Sequence, residues 1–227
     1  RYGIGICLGW RADGPVAVLL GTRLDSPDPD QIRKIARKAD SDVLIGIQGK
    51  RQVVVIGLLN QVDNPAGKIM QTAISLNELF GSGDLMLGPT VAAVSDSARS
   101  AKAALAALSV AASREQLARP TLADDLLPER VLAGDQLAKQ TLISNYYLPL
   151  VSGSADLLQT LRAYLENGGS LEATAKSLFV HANTVRYRLR RIHELIGEDV
   201  TDPRVAFVVQ TAIVVGLISD TESGVRR

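Results

Sequence analysis

The residues best suited to chemistry lie near the carboxyl end, in HANTVRYRLRRIH at 181–193, where Arg186, Arg188, Arg190 and Arg191 stand with no acidic residue among them. Arginine carries a planar fork of donors that fits the edge of guanine or a phosphate. Asparagine can pair with adenine, and threonine or tyrosine can reach phosphate or a thymine methyl. Acids gather only beyond the run, at Glu194, Glu198, Asp199 and Asp202. A row of arginines is usually a solvated helix face, so its neighbours must decide its role. Overall charge is no guide: 25 Lys+Arg against 24 Asp+Glu leave a net +1, and no domain is globally basic.

Other chemistries fare worse. The first 180 residues contain no histidine, which removes the commonest general base and any Ser/His/Asp triad built there. The one cysteine, Cys7, cannot form an internal disulfide, and no Cys/His cluster is spaced to hold zinc. GIGICLG at 3–9 has Leu8 where a dinucleotide fingerprint needs its third glycine, and GSGDLMLG at 81–88 lacks the Lys-Ser/Thr ending of a phosphate loop. No catalytic residue, metal ligand or cofactor is therefore expected, and a reducing, cytoplasmic setting suits the lone cysteine. At 227 residues, 46% hydrophobic and 22% charged, the chain can fill two folded domains and is too apolar for disorder. Its longest apolar stretch, VAFVVQTAIVVGLI at 205–218, is interrupted by Gln210 and Thr211 and falls short of the roughly 20 residues of a membrane span. It reads as a buried helix, with no membrane partner. The chain opens on Arg1 with no charged leader and cleavage pattern, so a fragment is expected rather than a signal-bearing precursor.

The elements around the arginines supply the missing context. Leu157, Leu158, Leu161, Tyr164 and Leu165 form an apolar stripe that ends at Asn167-Gly168-Gly169, a helix stop. Ser170 caps a helix carrying Leu171, Ala175 and Leu178, and FVHA at 179–182, with Phe179 where a turn glycine is common, leads into another helix from about Asn183. At 100° per residue, Leu189, Ile192 and Ile196 fall within about 40° of Val185 and must face a core. Asn183, Arg186, Tyr187, Arg190 and Arg191 then lie opposite. Two short helices joined by a tight turn, the second basic on its outer side, match a helix-turn-helix whose second helix enters the major groove. The expected DNA-binding residues are Asn183, Thr184, Arg186, Tyr187, Arg190 and Arg191, on a recognition helix of about 183–196. Arg188, at the edge of the stripe, is expected to pair with an acid, His181 to cap the helix and His193 to be structural. Asp202-Pro203 opens a last helix that supports the motif from behind.

In the first half, alternation predicts strands at 3–10, 16–22, 43–48, 52–59 and 84–91. Helical spacing places Ile32, Ile35, Ala36 and Ala39 on one helix and Ile69, Ala73, Leu76 and Phe80 on another opened by Asn64-Pro65. An alanine-rich helix follows at 96–111, suited to a core or a dimer surface. From residue 15 the order is strand, helix, strand, strand, helix, strand, the split βαβ arrangement of ferredoxin-like and nucleotidyl-cyclase palm domains. The fold class expected is α+β: a ferredoxin-like sandwich at 1–112, a linker at 113–134 where Pro120, Asp124, Asp125 and Pro128 break the periodicity, and an all-α domain at 135–227.

SLEATAKSLFVHANTVRYRLRRIHELIG at 170–197, followed by DPRVAFVVQTAIVVGL, contains an H-x-NTVxYRLxRIxxLxG string. It resembles the C-terminal helix-turn-helix of PucR/CdaR-type bacterial transcriptional regulators, and the first half resembles the degenerate GGDEF-like domain that precedes it in that family. In active diguanylate cyclases the signature occupies the hairpin equivalent to 48–52, which here reads QGKRQ. The resemblance implies a non-catalytic first domain and a sequence-specific transcriptional regulator acting on double-stranded DNA, commonly at catabolic operons. The expected partners are a second copy of the chain, since one helix reads only a few base pairs, and a small-molecule effector, which the residues leave open. The alternative is a nucleotide-cyclase-like or cyclic-nucleotide-handling domain coupled to a helical module; the lack of an acidic hairpin and of a metal-binding pair stands against it.

Overall fold

The structure, a computed structural model, describes residues 10–222 and residue 224. The strand expected at 3–10 lies, apart from its last residue, outside the described residues, as does Cys7. The chain divides into two compact units, Arg1–Ala133 and Gly134–Arg227.

Unit 1 contains β1 (Val16–Thr22), α1 (Pro29–Lys38), β2 (Ser41–Gln48), β3 (Arg51–Leu58), α2 (Pro65–Ser75), β4 (Leu85–Leu87) and α3 (Ser97–Val110). With β5 (Thr121–Leu122) at the edge, the sheet order is β2-β3-β1-β4-β5, the first four strands being antiparallel, which is the split βαβ arrangement. Residues Val16 to Gly21 of β1 are all buried because both faces of the sheet are covered. On one face α1 and α2 pack through Ile32, Ala36, Ile69 and Ala73 onto Leu19, Ile56 and Leu85. On the other, the alanines of α3, Ala103, Ala104 and Ala107, lie on Leu20 and Met86. That face of the alanine-rich helix is therefore core.

Small side chains let α3 come down onto the strands. A Cβ on Gly88 would sit 2.1 Å from the Ser100 carbonyl oxygen, so only glycine fits there. The Ser100 hydroxyl accepts a hydrogen bond from the Val18 amide at 2.9 Å, satisfying a buried donor of β1. Caps start the helices where the sequence places them: Asp28 accepts from the Gln31 amide ahead of Pro29, and Asn64 from the Gly67 amide ahead of Pro65. β2 and β3 pair Gln48 with Arg51, leaving Gly49-Lys50 as a two-residue turn in which Gly49 takes φ +60.

Two expectations for this half need correction. β4 is three residues long, not a strand over 84–91, because Gly88 is drawn under α3 and Pro89 has no N–H to donate; Val91 then bridges back to Val16. The stretch at 113–134 is not a linker. Thr121–Leu122 forms β5, parallel to β4, and a 3-10 turn at Ala123–Leu126 leads into α4 (Leu127–Leu132). Ala123 and Leu126 join the core beneath α3, and the buried Arg130 donates to the Ala123 carbonyl at 3.0 Å and to Asp124 Oδ1 at 3.1 Å. The prolines and paired aspartates that erase a periodic pattern here form short turns, not a loose connection.

Unit 2 is all helical. α5 (Gln136–Leu142) continues through a π-turn at Ile143–Tyr147 into α6 (Leu148–Ser152), followed by α7 (Ala155–Glu166), α8 (Leu171–Ser177), α9 (Ala182–Ile196) and α10 (Pro203–Glu222). The π-turn falls just ahead of Pro149, which cannot donate to the carbonyl four residues back, so the helix widens instead of breaking. A single core holds Leu150, Leu161, Tyr164, Val185, Ile192, Val209 and Ile213. Gly216 lets α10 lie against the Tyr147 ring, whose hydroxyl donates to Asp220 at 2.7 Å.

The helix expected to be buried is only half so. Val208, Val209, Ala212, Ile213, Val215 and Gly216 of α10 face the core, whereas Phe207, Val214, Leu217 and Ile218 face outward. At 20 residues it is long and apolar enough by length and composition to cross a membrane, yet its inner face belongs to the core of this unit.

Leu126 is wholly buried under α3. Leu126→Ala should cost about 2–5 kcal/mol in chemical denaturation followed by circular dichroism. A loss within about 0.5 kcal/mol, as for an exposed linker position, would contradict the placement of this segment in the core of unit 1.

Candidate nucleic-acid interface

The local sequence sets the helix-turn-helix in three steps. Ser170 caps α8 through the Ala173 amide at 3.2 Å. The chain leaves α8 at Leu178 and reverses through Phe179 at φ +55, with the Val180 amide bonded back to the Ala175 carbonyl at 3.0 Å. His181 then caps α9, its Nδ1 accepting from the Asn183 amide at 3.1 Å, as expected. Gly197 ends α9 in the left-handed region at φ +76.

Rotation of α9 about its axis is fixed from the inside. Val185, Leu189 and Ile192 are buried among Leu161, Tyr164, Ala175 and Val209. Arg188, at the edge of this stripe, reaches α7 and donates to Thr160 Oγ1 at 3.0 Å and Asp156 Oδ2 at 2.8 Å. It pairs with an acid at the core boundary, where the spacing places it. His193 is exposed and lies close enough to Asp199 to act on its carboxylate.

With those contacts made, Asn183, Arg186, Tyr187, Arg190 and Arg191 are exposed and Thr184 is half-buried. They form a surface already organised by i,i+3 contacts. Arg186 donates to Asn183 Oδ1 at 2.6 Å, the Arg190 guanidinium lies over the Tyr187 ring at 5.5 Å, and Arg191 is paired with Glu194. The wheel puts these residues on one face but does not reveal the pairings; the three-residue separations are the signal that would have found them. The Glu194 contact partly offsets one of the arginine charges.

Beyond the C-terminus of α9 the Asp199 carboxyl is held below its ordinary value, first by the Thr201 backbone amide and hydroxyl that donate to it at 2.9 and 2.8 Å, then by His193. A lowered carboxylate contributes stability that is complete above its unfolded pKa of 3.8 and is lost only as pH falls below that, so Asp199 brings no pH dependence near neutrality. Burial, with Asp199 adding to it, raises Tyr164 above 10.0 and keeps the phenol neutral. Among the described residues no group of three or more His, Cys, Asp and Glu side chains could hold a metal, and the β2–β3 turn presents Gly49 and Lys50.

Residues 157–215 match the PucR C-terminal helix-turn-helix domain, and residues 7–110 match a GGDEF-like domain. The crystal structure of the Regulator of Polyketide Synthase Expression from Bifidobacterium adolescentis is 33% identical with a TM-score of 0.74, over 94% of this chain and 84% of that one. The chain belongs to the PucR/CdaR-type family of transcriptional regulators. An uncharacterized protein of Mycobacterium tuberculosis is 34% identical over 226 residues, 93% of this chain and 52% of that protein. The purine catabolism regulatory protein of Bacillus subtilis is 44% identical over 57 residues, 25% of this chain and 11% of that protein. This PucR-type chain thus spans about half the length of the mycobacterial relative it matches almost throughout.

Phe179 is 96% exposed at a left-handed φ that side chains with a Cβ disfavour. With no packing to lose, Phe179→Gly should raise the stability of the purified protein by about 1 kcal/mol in thermal or urea unfolding. A net destabilisation would show that the phenyl ring makes contacts in solution.

Proposed function

We propose that this PucR/CdaR-type regulator binds double-stranded DNA as a homodimer in the cytoplasm, with α9 as the recognition helix lying in the major groove. The observation that carries this reading is the rotation of α9, which commits Val185, Leu189 and Ile192 to the core and leaves five exposed polar and basic residues on the opposite side, with Thr184 half-buried at its edge. Asn183, Thr184 and Arg186 stand in the first turns of the helix, where such helices reach base edges. The Arg186–Asn183 hydrogen bond leaves Asn183 two donors and Arg186 its remaining fork, a combined donor edge aimed at purine acceptors. Tyr187, Arg190 and Arg191 lie further along and are assigned to phosphates, the Arg190 guanidinium being steadied over the Tyr187 ring. Unit 1 is assigned a non-catalytic role: the hairpin that would have to present acids to a metal-bound triphosphate presents Lys50 and Arg51. It is a place for a small effector to act, without turnover.

Fragments selected from genomic DNA by the purified protein supply the binding site, and fluorescence anisotropy then separates the roles. Arg190→Ala should weaken specific and non-specific DNA alike and reduce the slope of log K against log salt by about 1. Asn183→Ala should relax or change the preferred base at one position, a discrimination of about 1–3 kcal/mol. If both variants bind as the parent protein does, the reading face is wrongly assigned. Incubation with GTP and magnesium should yield no cyclic or linear dinucleotide product; product would overturn the assignment of unit 1.

A further inference from the structure

The recognition face leaves the outer side of α10 unused. Phe207 is 41% exposed, Val214 51%, Leu217 38% and Ile218 49%. Phe207, Thr211, Val214, Ile218 and Thr221 follow one another at spacings of four, three, four and three residues, the a/d pattern of a helix seam. Among the described residues, the core contacts of α10 run through its other side, Val208, Val209, Ala212, Ile213, Val215 and Gly216, and this second stripe is left largely in solvent.

We propose that α10 packs antiparallel against α10 of a second copy of this chain, across a two-fold axis passing between Ala212 and Ile213, and that this seam is the dimer interface. The stripe is complementary to itself in that direction. Phe207 meets the partner's Ile218, and Thr211 meets the partner's Val214, so large faces large and small faces small. Charge agrees: Arg204 stands in the first turn of α10 and Glu222 in the last, so antiparallel pairing brings Arg204 alongside the partner's Glu222 while the helix dipoles oppose. Both residues keep contacts within their own chain, Arg204 over the Phe207 ring at 5.6 Å and Glu222 with Lys139 at 3.4 Å, and these contacts sit at the rim of the seam. A two-fold interface uses one patch twice, which is the property this stripe has. A membrane surface suits it less well, because Gln210, Thr211, Thr221 and Glu222 interrupt the apolar positions and Arg204 is the only basic residue on α10.

The inference deepens the dimer in the proposed function, and its test is kept separate from DNA. In sedimentation equilibrium without DNA, the full chain should be a dimer at micromolar concentration. The V214K/I218K double variant changes exposed positions only; it should weaken self-association at least a hundredfold while leaving the far-ultraviolet circular dichroism and the melting profile those of a folded protein. A T211C/V214C variant in a Cys7→Ser background should form an inter-chain disulfide on mild oxidation, since the seam brings each position against the other across the axis. A monomeric parent protein, a double variant that remains dimeric, or a dimer that fails to cross-link would overturn the α10 seam. If the protein is monomeric yet binds a half-site through α9, the interface fails and the DNA assignment stands. If the dimer forms and cross-links but binds no selected DNA, the reverse holds.

Discussion

Burial of Val185, Leu189 and Ile192 sets the direction of every other side chain on α9, and the function of unit 2 depends on that constraint. Three apolar residues within a narrow arc leave the helix one rotation that removes them all from water, each at about 1.5–3 kcal/mol over an exposed position. Arg188 tightens this: bonded to both Asp156 and Thr160, it ties α9 to α7 and would be pulled from its partners by a small turn of the helix. The remaining arginines face outward as a result of what is buried, so the polar surface is held by the core and not by its own contacts. The interactions on that surface, Arg186 with Asn183 and Arg190 over Tyr187, are local refinements between exposed groups.

Unit 1 solves a different problem. Its central strand is covered on both sides, by larger aliphatic contacts from α1 and α2 and by alanines from α3. Alanine suits the second face because Gly88 and the Ser100 backbone approach too closely for anything bigger, and the Ser100 hydroxyl replaces the ladder bond that Val18 lacks there. β5 and α4 then extend the same packing past the split βαβ unit, so the folded unit reaches Ala133. The family match to a GGDEF-like domain covers 7–110 and so stops before this extension.

The sequence makes some of this plain. Strands and helices of unit 1 alternate between periods of two and 3.6 and are punctuated by Asp28-Pro29 and Asn64-Pro65, so their order can be read directly. The helix-turn-helix is legible because one stripe is narrow and the opposite face has no acid before Glu194. What is hidden depends on tertiary partners. The 113–134 stretch has too few residues per element for any period to register, and only α3 above it gives Leu126 a reason to be buried. The π-turn before Pro149 is a backbone answer to a missing donor and leaves no hydrophobic trace. α10 is apolar on two sides, so periodicity alone cannot say that one side meets the core and the other meets solvent.

Affinity cleavage tests the outward-turned α9 most directly. With Cys7 replaced by serine, an iron chelate is attached through Tyr187→Cys and placed on a selected DNA fragment. The proposed reading predicts strand scission from position 187 in two clusters centred about one helical turn, or a multiple of it, apart. No localised scission from position 187 on DNA that the protein still binds would contradict it.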